Sequence, residues 1–343
     1  MVLRLVGIGL GTPDYLTLKA LRALEESDIV YLDCYTSIIS SELIEFLRLR
    51  LGGRLVLAER SDLEEGVAEI VKRAKSMSVT VAVPGDPLMA TTHVVFLEEA
   101  VKEGVPFEVI HGASSITAAI GASGLSSYKF GRIVTVPKNA GEESLKTICR
   151  CVEENMESGL HTLVLLDVAD GGLRAAEALG SLLMVAAEMG GSFGPQTPVI
   201  ILARLGYGDE FRVVCRASEA GGLSLPPPPH VVIVPAETRS YEREAVKALT
   251  VRGGELLDTY RPTSRRRARA ERYIAKTSGV LSKLAAARND AETSKILELV
   301  NSYVEDARHF LDSGMLDDSL IAISYAEGLL DCLRIIGRVE FTW

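Results

Sequence analysis

Met1-Val2-Leu3-Arg4-Leu5-Val6-Gly7-Ile8-Gly9-Leu10-Gly11-Thr12-Pro13 opens the chain, an apolar run passing directly into a glycine loop. A strand at Leu3 to Ile8, followed by residues without Cβ atoms, lets backbone approach a ligand closely. The next stretch, Leu18 to Ser27, has helical periodicity. The pattern then recurs: strand-like runs at Ile29 to Cys34, Val79 to Pro84 and Phe107 to His111 alternate with helical stretches such as Val94 to Glu103. That alternation predicts a mostly parallel sheet with helices on its faces.

Past Gly131 strands dominate, at Arg132 to Pro137, Thr162 to Val168, Val199 to Leu205, Phe211 to Arg216 and Val231 to Val234, with helices at Glu142 to Glu157 and Gly172 to Met189. The fold class is therefore α/β, with one domain over residues 1–126 and a second over 127–251. A cleft between them is expected near Ser126 to Gly131. Arg252-Gly253-Gly254 and Arg261-Pro262-Thr263-Ser264 then interrupt any regular element. Beyond them Leu297, Val300, Val304, Ala307 and Leu311 recur at three and four, and Ser313-Gly314 forms a helix stop. A further helix is expected from about Asp317 to Ile336, with Leu320, Ile323, Leu330 and Leu333 inward. Residues 264–343 thus read as a small all-α helical domain, and only the last few residues look strand-like.

With 343 residues, 47% of them hydrophobic, the chain can bury a core for two or three domains. No apolar run approaches the ~20 residues of a membrane span, and no small-residue cleavage site follows the first strand, so a cytoplasmic location is expected. Cys34, Cys149, Cys151, Cys215 and Cys332 form no CxxC pair, which argues against a disulfide framework or a zinc site; no metal is expected. The net charge of −9 disfavours a chain-wide nucleic-acid surface. Gln196, Asn139, Asn155, Asn289 and Asn301 are the only amide side chains, and scarcity of thermolabile amides is one mark of adaptation to heat.

Three loops carry candidate chemistry. In the first, a dinucleotide fingerprint needs a third glycine where Thr12 and Pro13 stand, although Asp33 lies at about the spacing of a ribose-binding acid. A tight turn without ligand explains this loop equally well. The second, Pro84-Gly85-Asp86-Pro87-Leu88-Met89, holds Asp86 in a stiff turn at the end of a buried strand. There the carboxylate either meets a ligand's ammonium or sulfonium or caps a helix. The third, His111-Gly112-Ala113-Ser114-Ser115-Ile116-Thr117, places hydroxyls at a helix start whose free N–H groups favour a carboxylate, and simple capping remains the alternative. His93 and His111 have no partner acid at a telling spacing and read as packed or surface histidines.

Taken in this order, the loops resemble the tetrapyrrole-methylase-like fold of S-adenosylmethionine-dependent methyltransferases. Tyr35-Thr36-Ser37, Pro84-Gly85-Asp86-Pro87-Leu88, Ala90-Thr91-Thr92-His93, Tyr128-Lys129-Phe130-Gly131, Leu165-Leu166-Asp167 and Pro228-Pro229-His230 are, as a set over Met1 to Leu249, similar to the diphthine synthase family. That resemblance implies methylation of the amino group on the 3-amino-3-carboxypropyl chain of a modified histidine in elongation factor 2, giving diphthine in archaea. It implies S-adenosylmethionine contacts at Leu10, Asp86, Met89, Ser115, Ile116, Leu166, Leu205 and His230, and a homodimer.

The chain departs from the family at Val168-Ala169, where Ile-Lys is usual, and at Lys138-Asn139-Ala140-Gly141-Glu142-Glu143, which replaces an aromatic-rich stretch. It departs again at Arg239, where relatives tend to have histidine; Glu242 and Glu244 match. Methyl transfer from a sulfonium to an amine is an in-line displacement, so alignment and exclusion of water are the main requirements. The amine can lose its proton in solvent before docking, so a dedicated base is not obligatory and none is named. Competing readings are a same-fold methyltransferase acting on a tetrapyrrole acid or ribosomal RNA, a binding module without activity, and, disfavoured by Thr12 and Pro13, a nicotinamide oxidoreductase. A tetrapyrrole acid needs convergent arginines and RNA a basic groove, and neither is evident before residue 251.

The C-terminal region is similar to a small helical domain of archaeal proteins. Its run Arg265, Arg266, Arg267, Arg269 and Arg272 invites a nucleic-acid reading. From Arg252 onward, however, fourteen basic side chains balance fourteen acidic ones, so pairing within the protein is favoured and no nucleic-acid partner is expected.

Overall fold

A computed structural model describes residues 1–189, 191–262, 265–285 and 290–343. Thr263 and Ser264, read as part of the break before the helical region, lie outside the described residues, as do the side chains of Arg265 and Arg266. The chain forms two compact units, Met1–Arg261 and Pro262–Trp343.

The first unit contains two sheets. β1 (Val2–Gly7), β2 (Ile29–Asp33), β3 (Leu55–Ala58), β4 (Ser78–Val83) and β5 (Phe107–Ile110) form an all-parallel sheet in the order β3-β2-β4-β1-β5. The central β1 and β4 bury Leu3, Leu5, Val6, Val79, Val81 and Val83, because helices cover both faces of a parallel sheet. Helix Leu18–Glu25 starts at Thr17, whose hydroxyl accepts from the Ala20 N–H, and helix Val94–Glu103 ends at Gly104 in the left-handed region. The alternation in the sequence predicts four of these five strands. It misses β3, whose four residues bury only Ala58.

β6 (Val134–Val136), β7 (Thr162–Leu166), β8 (Pro198–Ala203), β9 (Phe211–Arg216) and β10 (His230–Val234) form a mixed sheet in the order β6-β7-β10-β8-β9, in which only β6 and β7 run parallel. Its last strand in sequence sits at its centre. Helices Glu142–Glu157 and Ala175–Met189 contribute to the core over this sheet.

The second unit is a three-helix bundle, Arg265–Ala285, Ala291–Asp312 and Leu316–Ile335. The expected stripe Leu297, Val300, Val304, Ala307 and Leu311 is buried against Ile323, Leu330 and Leu333, while Leu320 stays half-buried at the rim. The strand-like tail forms no strand: Phe341 and Trp343 meet edge to face at 4.9 Å, and the Lys276 ammonium lies 4.1 Å over the Trp343 ring. Within the basic run, Arg267 pairs with Glu271 at 3.0 Å, and Arg269 lies over Tyr273.

Candidate functional site

The loops after β1, β4 and β5 meet backbone to backbone. Gly9 and Gly85 exchange hydrogen bonds of 3.2 and 2.7 Å. A Cβ on Gly7 would stand 2.6 Å from Gly112 N and Gly85 O, and one on Gly112 would stand 2.3 Å from Gly85 O. At Gly9 and Gly11, added carbons would meet Tyr15 O at 2.4 Å and the Tyr207 hydroxyl at 2.5 Å. These glycines therefore make room for protein, as a tight turn requires, while Gly9 and Gly85 also line the cleft described next. Thr12, which breaks the dinucleotide pattern, donates from Oγ1 to Gly206 O at 3.1 Å and so ties the first sheet's loops to those of the second.

Beside this junction lies a cleft of about 1020 Å³ lined from both sheets. Leu10, Met89, Ser115, Leu166, Leu205 and His230 line it, six of the eight residues that the resemblance implies. Asp86 and Ile116 are not among the lining residues. The Asp86 carboxylate accepts from Leu88 N at 3.0 Å and Gly112 N at 3.3 Å and faces His111 Nδ1 at 2.8 Å, so it holds two loops together. Ile116 is buried in the core between helix Ser115–Ser123 and the second sheet. His230 Nδ1 accepts from Ala175 N at 3.1 Å, so the ring's proton is on Nε2, which donates to Pro226 O at 2.8 Å. Burial pushes this imidazole below its ordinary pKa, and it serves as a neutral wall rather than a base.

The join at Ser126 to Gly131, where the sequence places the cleft, contributes no lining residue. It is instead pinned by Glu242, a fully buried carboxylate that accepts from Ser126 N (2.9 Å), Arg239 N (2.8 Å), Lys129 Nζ (3.0 Å) and His161 Nε2 (3.1 Å). Burial raises the pKa of Glu242, but these donors outweigh it and hold the carboxyl at about 2. His161 is pushed down to about 4, chiefly by burial, and its Nδ1 accepts from Ala236 N at 2.9 Å.

His93 is packed and His111 exposed, as the sequence reads them, and each also faces an acid from a distant part of the chain. His111 faces Asp86, and His93 Nε2 lies 3.4 Å from Asp33 Oδ2. Those carboxylates are 25 and 60 positions away along the chain, so no local spacing could show them. Asp33 itself is fully buried, with Oδ1 accepting from Tyr35 N and Thr36 N at 3.0 Å and Oδ2 from the Thr36 hydroxyl. It caps the loop beyond β2 and is not a free ribose acceptor. Tyr35, beside it, is raised to about 12, first by burial and then by the Asp33 charge.

Among the described residues, three that are not glycine have positive φ: Ala90 (56°), Asp170 (48°) and Arg204 (54°). Ala90 and Asp170 line the cleft and Arg204 precedes lining Leu205. Strain of this kind persists where surrounding structure over-determines a site. The segments around Lys138 and Val168-Ala169 meet here: Lys138 N donates to Asp167 Oδ2 at 3.0 Å and Lys138 Nζ to Asp170 O at 2.9 Å. The backbone N–H groups of Ala169 and Lys138 hold the Asp167 carboxyl below its usual range. The lining thus carries Glu64, Asp167 and Asp170 against one guanidinium, Arg60, itself paired with Glu64 at 2.9 Å. Such a lining suits a cation. Sequence reasoning missed Ile38, Glu64 and Tyr207 at this site. Tyr207 donates to Ile38 O across 169 positions, a contact that no local pattern announces.

Among the described residues, no group of three or more His, Cys, Asp or Glu could hold a metal ion, and no helix is long and apolar enough to cross a membrane. The family described as Tetrapyrrole (Corrin/Porphyrin) Methylases matches residues 2–221. A second, described as Protein of unknown function (DUF357), matches residues 269–339. The diphthine synthase of Archaeoglobus fulgidus is 36% identical over 237 residues, covering 69% of this chain and 90% of its own length. That of Methanopyrus kandleri is 36% identical, covering 71% and 94%. A crystal structure of diphthine synthase, 33% identical, superposes with a TM-score of 0.67 over 76% of this chain and 100% of its own. With its glycine-packed loops, its two-sheet cleft and relatives aligned over nearly their full length, the chain belongs to the diphthine synthase branch of the tetrapyrrole methylase family.

Proposed function

We propose that the cleft binds S-adenosylmethionine and that the chain methylates the amino group on the modified histidine of elongation factor 2. Methyl transfer follows from the family; the donor, the acceptor and the contacts are this reading's own. The observation that carries it is the cleft itself: six residues that the family resemblance implies line one cavity of about 1020 Å³. Pockets for drug-sized ligands span roughly 300–1,000 Å³, so there is room for a donor and the end of an acceptor chain. When bound, the sulfonium supplies an already activated methyl group. The protein's part is to orient, exclude water and favour positive charge. Glu64, Asp167 and Asp170 provide that field, and the apolar Leu10, Leu166 and Leu205 wall off solvent.

A single paired arginine in the lining disfavours a polycarboxylate ring, which needs convergent guanidinium groups. The working enzyme is proposed to be a cytoplasmic homodimer, which light scattering would test. The decisive experiment has two arms. Calorimetry should show S-adenosylmethionine binding that a chelator does not alter, and mass spectrometry should show methyl groups added to elongation factor 2 carrying the modified histidine. Donor binding with the factor unchanged, while a tetrapyrrole or RNA is methylated, would replace the acceptor. Well-folded protein that binds no donor would end the reading.

A further inference from the structure

Thr91 lines the cleft, and its hydroxyl meets Nδ1 of His93 two residues on. The His93 ring is almost completely buried and stacks on Phe96 with centroids 6.0 Å apart. Its Nε2 completes no hydrogen bond, yet stands 3.4 Å from Oδ2 of the fully buried Asp33. An anion on that side makes a bare Nε2 lone pair repulsive, so the proton belongs on Nε2. Nδ1 is then an acceptor and Thr91 the donor. The arrangement is a nucleophile–imidazole–carboxylate line with its hydroxyl end open to the cleft and its acid end sealed.

We infer that Thr91, His93 and Asp33 form a proton relay that deprotonates the acceptor amine. This rests on the proposed methylation of an amine. The acceptor ammonium gives a proton to Thr91 Oγ1 while Thr91's own proton passes to His93 Nδ1. The nitrogen lone pair so freed forms the N–C bond as the C–S bond breaks with its electron pair on sulfur. His93, now an imidazolium, is balanced by Asp33 and returns its proton to solvent through Thr91 as product leaves. Thr91 is the catalytic residue in this scheme; His93, acting through it, holds the proton in passing, and Asp33 positions and polarises the ring. Burial lowers the His93 pKa and the carboxylates of Asp33 and Glu64 oppose that shift, so the resting ring is neutral and its Nδ1 lone pair is free to accept from Thr91. Arg60, Tyr35 and Cys34 are further titratable groups in this cluster, from helix Arg60–Glu64 and the loop after β2, and the Cys34 thiol is raised by burial and then by the Asp33 charge.

The test uses the full chain with modified elongation factor 2. Thr91→Val keeps the side-chain shape without the hydroxyl and should lower kcat by about 10²-fold near neutral pH, the low end of general acid–base contributions. Thr91→Ser should retain most of the rate and His93→Gln should match Thr91→Val, with calorimetric donor affinity unchanged in all three. The deficit should shrink as pH rises past the amine's own pKa, because solvent then supplies the free amine. Nitrogen NMR of the wild-type ring should show His93 protonated on Nε2, with its Nδ1 signal moved by Thr91→Val. A deficit independent of pH, or a ring protonated on Nδ1, overturns the relay while leaving the methyltransferase reading intact. Absence of methylation by the wild-type chain overturns that reading and the relay with it.

Discussion

Among single residues, buried charge sets the largest effects. Glu242 has four donors and no solvent, so Glu242→Ala should cost about 3–5 kcal/mol in denaturant unfolding by leaving Lys129 and His161 without their partner. Both His161 and Glu242 have folded pKa values below their ordinary ones, about 4 against 6.5 and about 2 against 4.5. The unfolded chain therefore binds more protons than the folded one between those limits. Their stabilisation is complete above about pH 6.5 and is lost on acidification, through His161 first and Glu242 below it. Melting temperature followed from pH 7 to pH 3 should fall, and fall less in Glu242→Gln. Asp86→Ala removes an acceptor shared by Leu88, Gly112 and His111 and should weaken donor binding about tenfold by calorimetry. Asp62→Ala, at an exposed helix start where the carboxylate caps Glu59 N, should leave it unchanged; equal effects would reduce Asp86 to a cap.

For the elements, strand ends and helix faces were readable wherever periodicity lasts. Helices Val94–Glu103 and Glu142–Glu157 fall where the sequence puts them, because each turns apolar residues to one face, Phe96 and Ala100 in the first and Leu145, Ile148, Cys149, Val152 and Met156 in the second. β3 was not readable, since four residues at a sheet edge, of which only Ala58 is buried, carry no alternation to detect. The loops after β1, β4 and β5 work as a unit through their glycines. Gly112→Ala would drive a Cβ to 2.3 Å from Gly85 O. It should weaken donor binding by about tenfold or more, as backbone strain of 1–3 kcal/mol requires, while circular dichroism stays native. Unchanged affinity would show that the loops yield freely. In the helical unit, Leu330→Ala should cost about 2–5 kcal/mol of that unit's stability in urea.

At the scale of the whole molecule, the two units each have their own apolar core. The short helix Leu256–Thr259 belongs to the first, where Leu257 is fully buried in a core cluster that Tyr260 also joins. A chain cut after Arg261 should therefore keep donor binding and methyl transfer, whereas one cut at Val251 loses this packing. The separate residues 262–343 should remain helical by circular dichroism. They should bind RNA no better than a background that salt abolishes, because acidic and basic side chains balance there. RNA affinity that persists at high salt would make this unit a targeting module instead. Loss of donor binding in the folded, shortened chain would make it part of the active site.

Resemblance to the family singled out Leu10, Met89, Ser115, Leu166, Leu205 and His230; the sequence by itself determined the alternation of strands and helices, the apolar stripes of the bundle, and the three glycine-bearing loops. These are properties of neighbouring residues, and neighbours along a chain remain neighbours in an element. Only the tertiary structure decided that Asp86 ties loops together, that Glu242 pins the join, and that Asp33 stands behind His93. Each of those roles depends on groups from distant parts of the chain meeting where water is excluded, and it is that burial, absent from any local pattern, that gives a carboxylate or an imidazole its charge and its partner.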